Sequence, residues 1–297
     1  MKKALKFIGY VLATFAVLVV LAFASIYLLS NRKLNKSYQV SVQPVAIPTG
    51  AEALARGQHI AATRGCADCH GADLAGATII DNPAMGRLSG PNLTRGRGGL
   101  PASFSAIDFV RAIRHGVAPD GRGLFLMPSN DFSQFTDQDM GDLIAYINSI
   151  PPVDRDSVPL SIGPVARALM LAGKIKLSAE VIDHAGVRPD TVLPGVTVAY
   201  GRYLAIGCTG CHASNFSGGK IDIGPPDWPP AQNLTPAGDL AKWSEADFIA
   251  ALRQRTRPDG SKFNEVMPAA FGLMNDTELK AIWAYLRTLP PAPTGKR

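Results

Sequence analysis

The sequence predicts an all-α protein, in which an N-terminal transmembrane helix precedes two tandem helical domains. Three observations support this prediction: a long apolar run near the N-terminus, a second half that repeats the first, and helical spacing of apolar residues inside each repeat. No segment has the regular alternation of a strand. The predicted segments are 1–36 (anchor), 37–50 (extended linker), 51–152 (domain 1), 153–197 (interdomain segment with a short helix), 198–291 (domain 2) and 292–297 (disordered tail).

The N-terminus carries a candidate membrane anchor. Three lysines precede an apolar run of 23 residues from Phe7 to Leu29. At about 1.5 Å per residue the run is roughly 34 Å long, enough for a bilayer core of about 30 Å. A cleaved signal peptide is the alternative, since Ala22-Phe23-Ala24 resembles a cleavage site. The apolar run continues past Ala24, which favours a retained anchor.

The net charge of +6 is confined to the N-terminus. Six basic residues and no acid precede residue 37, so residues 37–297 carry 24 basic and 24 acidic side chains. A basic groove is therefore not expected, and the sequence predicts no nucleic-acid partner. An apolar content of 46% excludes an intrinsically disordered chain.

Four cysteines form two C-x-x-C pairs, and histidine follows each pair directly. This is the signature of c-type haem attachment, in which two thiols bind the porphyrin and the histidine lies under the iron. A zinc site needs four ligands and each motif offers three, while a thioredoxin-like site needs a βαβ context. The sequence predicts two covalently attached haem c groups, held by Cys66, Cys69, His70, Cys208, Cys211 and His212.

The second half repeats the first at an offset of 139 to 142 residues. Two copies at this spacing indicate duplicated domains rather than a solenoid. Ser105 and Ser244 open a middle helix in each copy, and Thr136 and Asn275 open a last helix, each with an acid three residues on. The matched segments are Asn92–Thr94 with Asn233–Thr235, Ser105–Arg114 with Ser244–Arg253, Met127-Pro128 with Met267-Pro268, and Pro151-Pro152 with Pro290-Pro291.

The repeat also selects candidates for the sixth iron ligand, for which methionine and histidine are both possible. Met127 lies 57 residues after His70 and Met267 lies 55 residues after His212. Proline follows both methionines and stiffens the loop. We therefore predict that the iron ligands are His70 with Met127 and His212 with Met267.

The remaining methionines and histidines do not repeat in this way. Met140 aligns with Leu279 and Met274 with Phe135, so both are predicted to be packing residues. The main rival ligand, His115, aligns with Gln254 and precedes Gly116 at a predicted helix C-terminus, where a cation is favoured. His59 aligns with Tyr203 if a gap of two residues is allowed. We expect His115, His59 and His184 to be surface or helix-end side chains.

Each half resembles a class I cytochrome c domain: a helix leading into C-x-x-C-H, the segment Gly90–Leu93, a middle helix, a Met-Pro loop and a terminal helix. The whole chain is similar to membrane-anchored dihaem cytochromes c, such as the cytochrome subunits of bacterial membrane-bound alcohol, aldehyde and gluconate dehydrogenases. The resemblance implies that a backbone carbonyl in Gly90–Leu93 accepts a hydrogen bond from His70. Copy two departs from the pattern with Ala231-Gln232-Asn233-Leu234.

The interdomain segment contains a proline-initiated apolar pattern from Pro164 to Ile175, which predicts a helix of three to four turns. Arg167, Lys174 and Lys176 make this helix basic. It could brace the two domains, or it could dock a partner or lie on a membrane surface.

The predicted function is a membrane-tethered electron carrier, not an enzyme. It would transfer single electrons between extracytoplasmic redox partners in a respiratory chain: a dehydrogenase or quinol-linked complex as donor, an oxidase or soluble cytochrome as acceptor. Because haem c is attached outside the cytoplasm, we expect a single-pass protein of the cell inner membrane with both haem domains on the periplasmic side. The alternative is a haem enzyme, a dihaem peroxidase or thiosulfate-oxidising cytochrome, which requires a vacant or displaceable axial position on one iron.

Overall fold

The computed structural model describes residues 2–189, 191–221 and 227–296. The chain is mostly helical in this part. Its α-helices are α1 Lys2–Leu34, α2 Ala51–Thr63, α3 Cys66–His70, α4 Ala106–His115, α5 Ser129–Phe132, α6 Asp137–Ser149, α7 Pro164–Leu171, α8 Ser178–Val181, α9 Val198–Ala205, α10 Thr209–His212, α11 Glu245–Gln254 and α12 Asp276–Leu286. Three 3-10 helices cover Ile206–Cys208, Asp239–Lys242 and Ala269–Leu273.

Helix α1 contains the predicted membrane segment. It runs without interruption for 33 residues, and its most apolar stretch is entirely unburied by the rest of the described chain. By length and composition this helix can cross a membrane.

The prediction of an all-α fold is wrong in one region, where three short strands form an antiparallel sheet. Strands β1 (Ala77–Asn82) and β2 (Gly86–Gly90) make a hairpin, and β3 (Ser161–Ile162) adds to the free edge of β2. The pairing register shifts between Thr78 and Ile80, so the bulge interrupts the period-two pattern that would have indicated a strand. Strand β3 is too short to produce any pattern.

The two domains are built alike around a close crossing of their first and last helices. In domain 1, α2 crosses α6 so closely that a Cβ added to Gly57 would lie 2.0 Å from the carbonyl oxygen of Asp142. In domain 2, α9 crosses α12, and a Cβ on Gly201 would lie 1.8 Å from the carbonyl oxygen of Ala281. Only glycine permits either crossing.

The predicted helix starts are confirmed. Ser105 accepts a hydrogen bond from the backbone N–H of Asp108, and the carboxylate of Asp108 accepts one from the backbone N–H of Ser105. The same capping box recurs at Ser244 and at Asn275, and Thr136 caps α6 with its hydroxyl. Both copies therefore begin their middle and last helices with a side-chain cap.

Two connecting segments differ from expectation. Helix α7 ends at Leu171 rather than near Ile175, because Gly173 adopts a left-handed conformation with φ of +71° that stops the helix. The segment 292–296, predicted to be disordered, packs on domain 2: the carbonyl of Lys296 accepts hydrogen bonds from Asn215 and Ser217 at 2.6 and 2.8 Å. Two polar side chains of domain 2 thereby hold the segment in place.

The glycine crossing predicts a position-specific effect on stability. Gly201→Ala should destabilise domain 2 by about 2 kcal/mol, because the helices must separate to admit the methyl group. Gly195→Ala is the matched control, since a Cβ added there would lie 3.8 Å from the Thr197 methyl, an ordinary contact distance. Thermal unfolding followed by circular dichroism should show a lower midpoint for the first variant alone. Equal midpoints would mean that the crossing tolerates a side chain.

Candidate haem-binding sites

Each motif histidine is held by a backbone carbonyl from a neighbouring loop. His70, at the end of α3, is buried, and its Nδ1 lies 2.9 Å from the carbonyl oxygen of Pro91. His212, at the end of α10, has its Nδ1 2.7 Å from the carbonyl oxygen of Gln232. A carbonyl can only accept, so Nδ1 carries the proton and the Nε2 lone pair is left for a metal.

These contacts confirm the carbonyl partner implied by the resemblance, in both copies. Copy two keeps the hydrogen bond despite its different side chains because the acceptor belongs to the backbone. Burial lowers the pKa of His70 and of His212, and the carbonyl contact offsets this effect only in part. Both rings are therefore neutral near neutral pH, as a metal-binding imidazole must be.

The carbonyl segment is itself fastened by a repeated asparagine. The Asn92 amide donates to the carbonyl oxygen of Val153 at 2.9 Å, while its oxygen accepts from the backbone N–H and the hydroxyl of Thr94. Asn233 repeats this arrangement with Ala292 and Thr235. The chain that follows each terminal helix thus returns to the loop that orients the histidine. The contacting residues, Val153 and Ala292, lie just past the predicted domain ends at residues 152 and 291.

In domain 2 the structure brings all four predicted side chains to one cavity of about 480 Å³. Cys208, Cys211, His212 and Met267 all line it. Most of the remaining wall is apolar and includes Leu234, Leu240, Trp243, Phe248, Phe271 and Ile282. Arg257 and Lys262 also line the cavity, where their charges could pair with carboxylate groups. The wall therefore suits a large apolar macrocycle that carries peripheral carboxylates, such as haem.

In domain 1 the corresponding residues lie against the hydrophobic core. Cys66 and Met127 are partly buried and pack on the core cluster, and His70 is buried at the end of α3. Cys69 is half-buried in the same turn. The assignment of Met127 and Met267 as iron ligands stays a prediction.

The side-chain arrangement disfavours the other uses of C-x-x-C. Burial raises the pKa of the Cys66 and Cys208 thiols to about 12, so neither would be a reactive thiolate. Among the described residues, no group of three or more His, Cys, Asp or Glu side chains is arranged to hold a metal ion.

The loops that carry the two methionines are held by residues that the sequence analysis missed. The carbonyl of Met127 accepts a hydrogen bond of 2.8 Å from the hydroxyl of Ser178, in the interdomain segment. The carbonyl of Met267 accepts one of 2.7 Å from the guanidinium of Arg255. Arg255 aligns with Gly116 of copy one, so the two repeats carry different residues at this position. That difference alone does not show what Arg255 does.

The two domains contact each other reciprocally through acids in the first turn of their last helices. His59 of α2 places Nε2 2.7 Å from a carboxylate oxygen of Glu278, in the capping box of α12. Its repeat counterpart, Tyr203 of α9, donates its hydroxyl hydrogen to Asp139 of α6. His59, expected at the surface or at a helix end, is thus an interdomain contact.

Arg64 adds a charged link between the domains just before the first cysteine motif. Its guanidinium donates to the carbonyl oxygen of Leu204 in α9 at 2.9 Å and lies 5.6 Å from the centre of the Phe135 ring. Its counterpart in copy two is Ile206. Because the repeat does not preserve this arginine, the sequence carried no signal for it.

The rival ligand His115 is engaged elsewhere. It ends α4 as expected, but it is buried and its Nδ1 lies 3.0 Å from Nδ1 of His184. Burial, together with the nearby charge of Arg188, lowers the pKa of His115 to about 4, so it is not the helix-end cation that was expected. Met140 and Met274 are buried in the core, which confirms the prediction that they are packing residues.

The chain belongs to the cytochrome c family, whose family model matches residues 54–151 and 198–290. The family implies covalently bound haem c. This confirms the resemblance drawn from the two C-x-x-C-H motifs.

Several curated relatives are cytochromes of dehydrogenases. The chain is 30% identical over 286 residues to the fructose dehydrogenase cytochrome subunit of Gluconobacter japonicus, covering 84% of this chain and 56% of the relative. It is 28% identical over 269 residues to the cytochrome c subunit of a quinone-dependent alcohol dehydrogenase of Gluconacetobacter polyoxogenes, covering 80% and 56%. A diheme cytochrome c-type of Cereibacter sphaeroides is 27% identical over 269 residues, covering 79% and 85%. The chain spans about half the length of the two dehydrogenase subunits.

The interdomain contact of His59 predicts a pH-dependent contribution to stability. The hydrogen bond to Glu278 raises the pKa of His59 above its usual 6.5, and burial offsets this only in part. A raised histidine pKa stabilises the folded state below pH 6.5, and this contribution is lost as the pH rises through the folded-state pKa. His59→Gln should therefore lower the thermal midpoint more at mildly acidic pH than at alkaline pH.

The acid partner sets the lower limit of that window. Burial raises the pKa of Glu278, but the hydrogen bonds from His59 and from the backbone of Asn275 outweigh it and leave the pKa below its usual 4.5. Between the usual pKa values of 4.5 and 6.5, both members of the pair are therefore mainly charged. Tyr203→Phe is the comparison variant: burial raises the pKa of Asp139 and the hydrogen bond from Tyr203 opposes this rise, so loss of that bond should not reproduce a cost that grows towards acidic pH. If the thermal midpoints of wild type and His59→Gln differ by the same amount at every pH, this ionic contribution is ruled out.

Proposed function

We propose that this chain is a membrane-tethered dihaem cytochrome c that transfers single electrons between extracytoplasmic redox partners of a respiratory chain. The observation that carries the proposal is the convergence of Cys208, Cys211, His212 and Met267 on one apolar cavity. Domain 1 repeats the motif, the carbonyl-held histidine and the Met-Pro loop. Two attachment sites account for two haems.

Bound haem supplies a one-electron Fe(III)/Fe(II) couple. The chain's own residues prepare each site for it. The cysteines attach the macrocycle, and the histidine offers Nε2 while its Nδ1–H is fixed by a carbonyl. Met127 and Met267 would each offer a sulfur ligand to the iron, and a methionine ligand would raise the reduction potential, which suits the oxidising end of a respiratory chain.

The alternative, a haem enzyme, requires an axial position that substrate can occupy. Two complete histidine–methionine sets would leave no such position on either iron. The repeat-matched loops at Met127 and Met267 are each held at the methionine carbonyl, by Ser178 and Arg255. A held loop disfavours displacement of the sulfur, so electron transfer is the better supported function.

The relatives suggest the class of redox partner. Those named above include cytochrome subunits of a fructose and of a quinone-dependent alcohol dehydrogenase. By analogy the donor is a dehydrogenase or a quinol-linked complex, and the acceptor is an oxidase or a soluble cytochrome. Helix α1 provides the anchor, and the two haem domains lie on the periplasmic side of the inner membrane.

The axial assignments are tested by exchanging methionine for leucine. Met127→Leu and Met267→Leu should each abolish the methionine-to-ferric-iron charge-transfer absorbance of one haem and lower one reduction potential, because leucine offers no sulfur ligand. Spectroelectrochemical titration of the purified protein, with two haems per chain by pyridine haemochrome assay, gives both readouts.

Met140→Leu is the matched control, since Leu279 occupies the equivalent position in domain 2. That variant should keep both absorbance signals and both potentials. If Met127→Leu or Met267→Leu also leaves both potentials unchanged, the substituted methionine is not a ligand. One haem per chain in the wild type would contradict the dihaem proposal.

The anchor proposal predicts the mature N-terminus. Residues 7–29 should remain attached, because the apolar run passes beyond Ala24 and is long enough to span. Intact-mass and N-terminal peptide analysis of the protein extracted from membranes is the direct measurement. A mature N-terminus at Ser25 would show instead that the segment is a cleaved signal peptide.

A further inference from the structure

Helix α7 is fastened to the end of α1. The guanidinium of Arg167 donates to the Ser30 hydroxyl and to the Asn31 side-chain oxygen, both at 2.7 Å, and lies 4.6 Å from the centre of the Tyr27 ring. The Lys33 ammonium donates to the carbonyl oxygen of Met170 at 3.3 Å. Ser30 is fully buried by this contact, although the rest of α1 is not. The position of α7 is therefore fixed relative to α1.

This contact sets the depth of α7 if α1 spans a bilayer. The apolar run ends at Leu29, so Tyr27 to Lys33 cover roughly the last 9 Å of the span and its exit, at about 1.5 Å per residue. That level is the interface between acyl chains and headgroups. Helix α7, which packs on these residues, lies at the same level.

The face of α7 turned away from α1 is apolar. Ala166 and Met170 are fully buried, whereas Val165, Leu169 and Leu171 are 45%, 36% and 37% exposed. Val165 and Leu169 are four residues apart and so share one face of the helix. Leu160, just before the helix, is 46% exposed as well. An exposed apolar face beside a membrane exit is the arrangement of an interfacial helix.

The surrounding charge favours an anionic surface. Residues 30–38 and 161–180 hold six basic side chains and one acid, Glu180, which pairs with Lys33 at 3.2 Å. Lys174 and Lys176 follow α7 directly and are exposed. Anionic phospholipid headgroups complement such a cluster.

We infer that α7 lies on an anionic phospholipid surface and forms, beside α1, a second membrane contact that fixes the orientation of the haem domains. This inference rests on the proposed anchoring role of α1. It selects the membrane-surface role for the interdomain helix, since α7 packs along α1 while Gly163 and Val165 at its start donate to the carbonyls of Met85 and Ala84 in domain 1.

The test uses single cysteines in the full-length holoprotein. The four native cysteines are consumed by haem attachment, so a nitroxide label reacts only at an introduced site. We would label Leu169→Cys on α7, Val17→Cys within the span and Val187→Cys, which is 94% exposed, as the aqueous control. In vesicles of phosphatidylglycerol and phosphatidylcholine, power-saturation EPR compares collisions with oxygen and with a water-soluble nickel chelate.

The inference predicts that the label at 169 has a severalfold higher oxygen-to-nickel ratio than the label at 187, and that omitting phosphatidylglycerol lowers this ratio. If the label at position 169 has the same oxygen-to-nickel ratio as the label at position 187, while the label at position 17 reports lipid, the surface contact of α7 is wrong and the anchor stands. If 17 also reports water, the anchor itself fails. A label at 169 that is shielded in native membranes but reports water in pure lipid vesicles would show that a protein covers this face, which also overturns the inference.

Discussion

The close crossing of the first and last helices determines how each domain presents its functional residues. The crossing requires glycine, because the carbonyl of the last helix occupies the space of a side chain at Gly57 and Gly201. Fixing these two helices fixes both of their ends. The C-terminal end of the first helix leads directly into the cysteine motif, and the first turn of the last helix presents an acid, Asp139 or Glu278. One steric constraint therefore positions both the haem attachment segment and the contact with the other domain.

The interface between the domains reuses parts that each domain already needs. Asp139 and Glu278 both lie in the first turn of their own last helix, and each accepts a hydrogen bond from the first helix of the other domain. Glu278 also completes the capping box of Asn275. Removing such acids from water costs solvation energy unless they are paired, so these partners stabilise the interface. The pairing is chemically unequal, because one donor is tyrosine and the other is histidine. Acidity can therefore change the charge of the histidine donor within the physiological range, whereas the tyrosine donor stays neutral there.

Residues that the duplication preserves were predictable, and residues that it does not preserve were not. The cysteine motifs, the capping boxes and the packing roles of Met140 and Met274 all followed from matched positions. Arg64 and Ser178 did not, since they act through contacts between segments far apart in sequence. The sheet was missed because a bulge breaks its alternation and its third strand has two residues. His59 aligned with Tyr203, but alignment alone could not show that each would reach the acid of the opposite domain.

The path of the linker explains why a flexible tether is a poor description of this chain. Residues 37–50, fully extended, could span roughly 45–50 Å. Instead, the backbone N–H of Tyr38 donates to the carbonyl oxygen of Gly121 at 2.8 Å, and Val42, Val45 and Ile47 pack against the hydrophobic core. The linker therefore runs along the surface of the protein instead of extending away from it. In addition, α7 holds the end of α1. Both attachments restrict the distance and tilt of the haem domains relative to the helix. In the membrane-tethered function that we propose, such a geometry would favour electron exchange with partners whose own redox groups lie at a fixed height above the same membrane, because a partner at a different height would require these contacts to break.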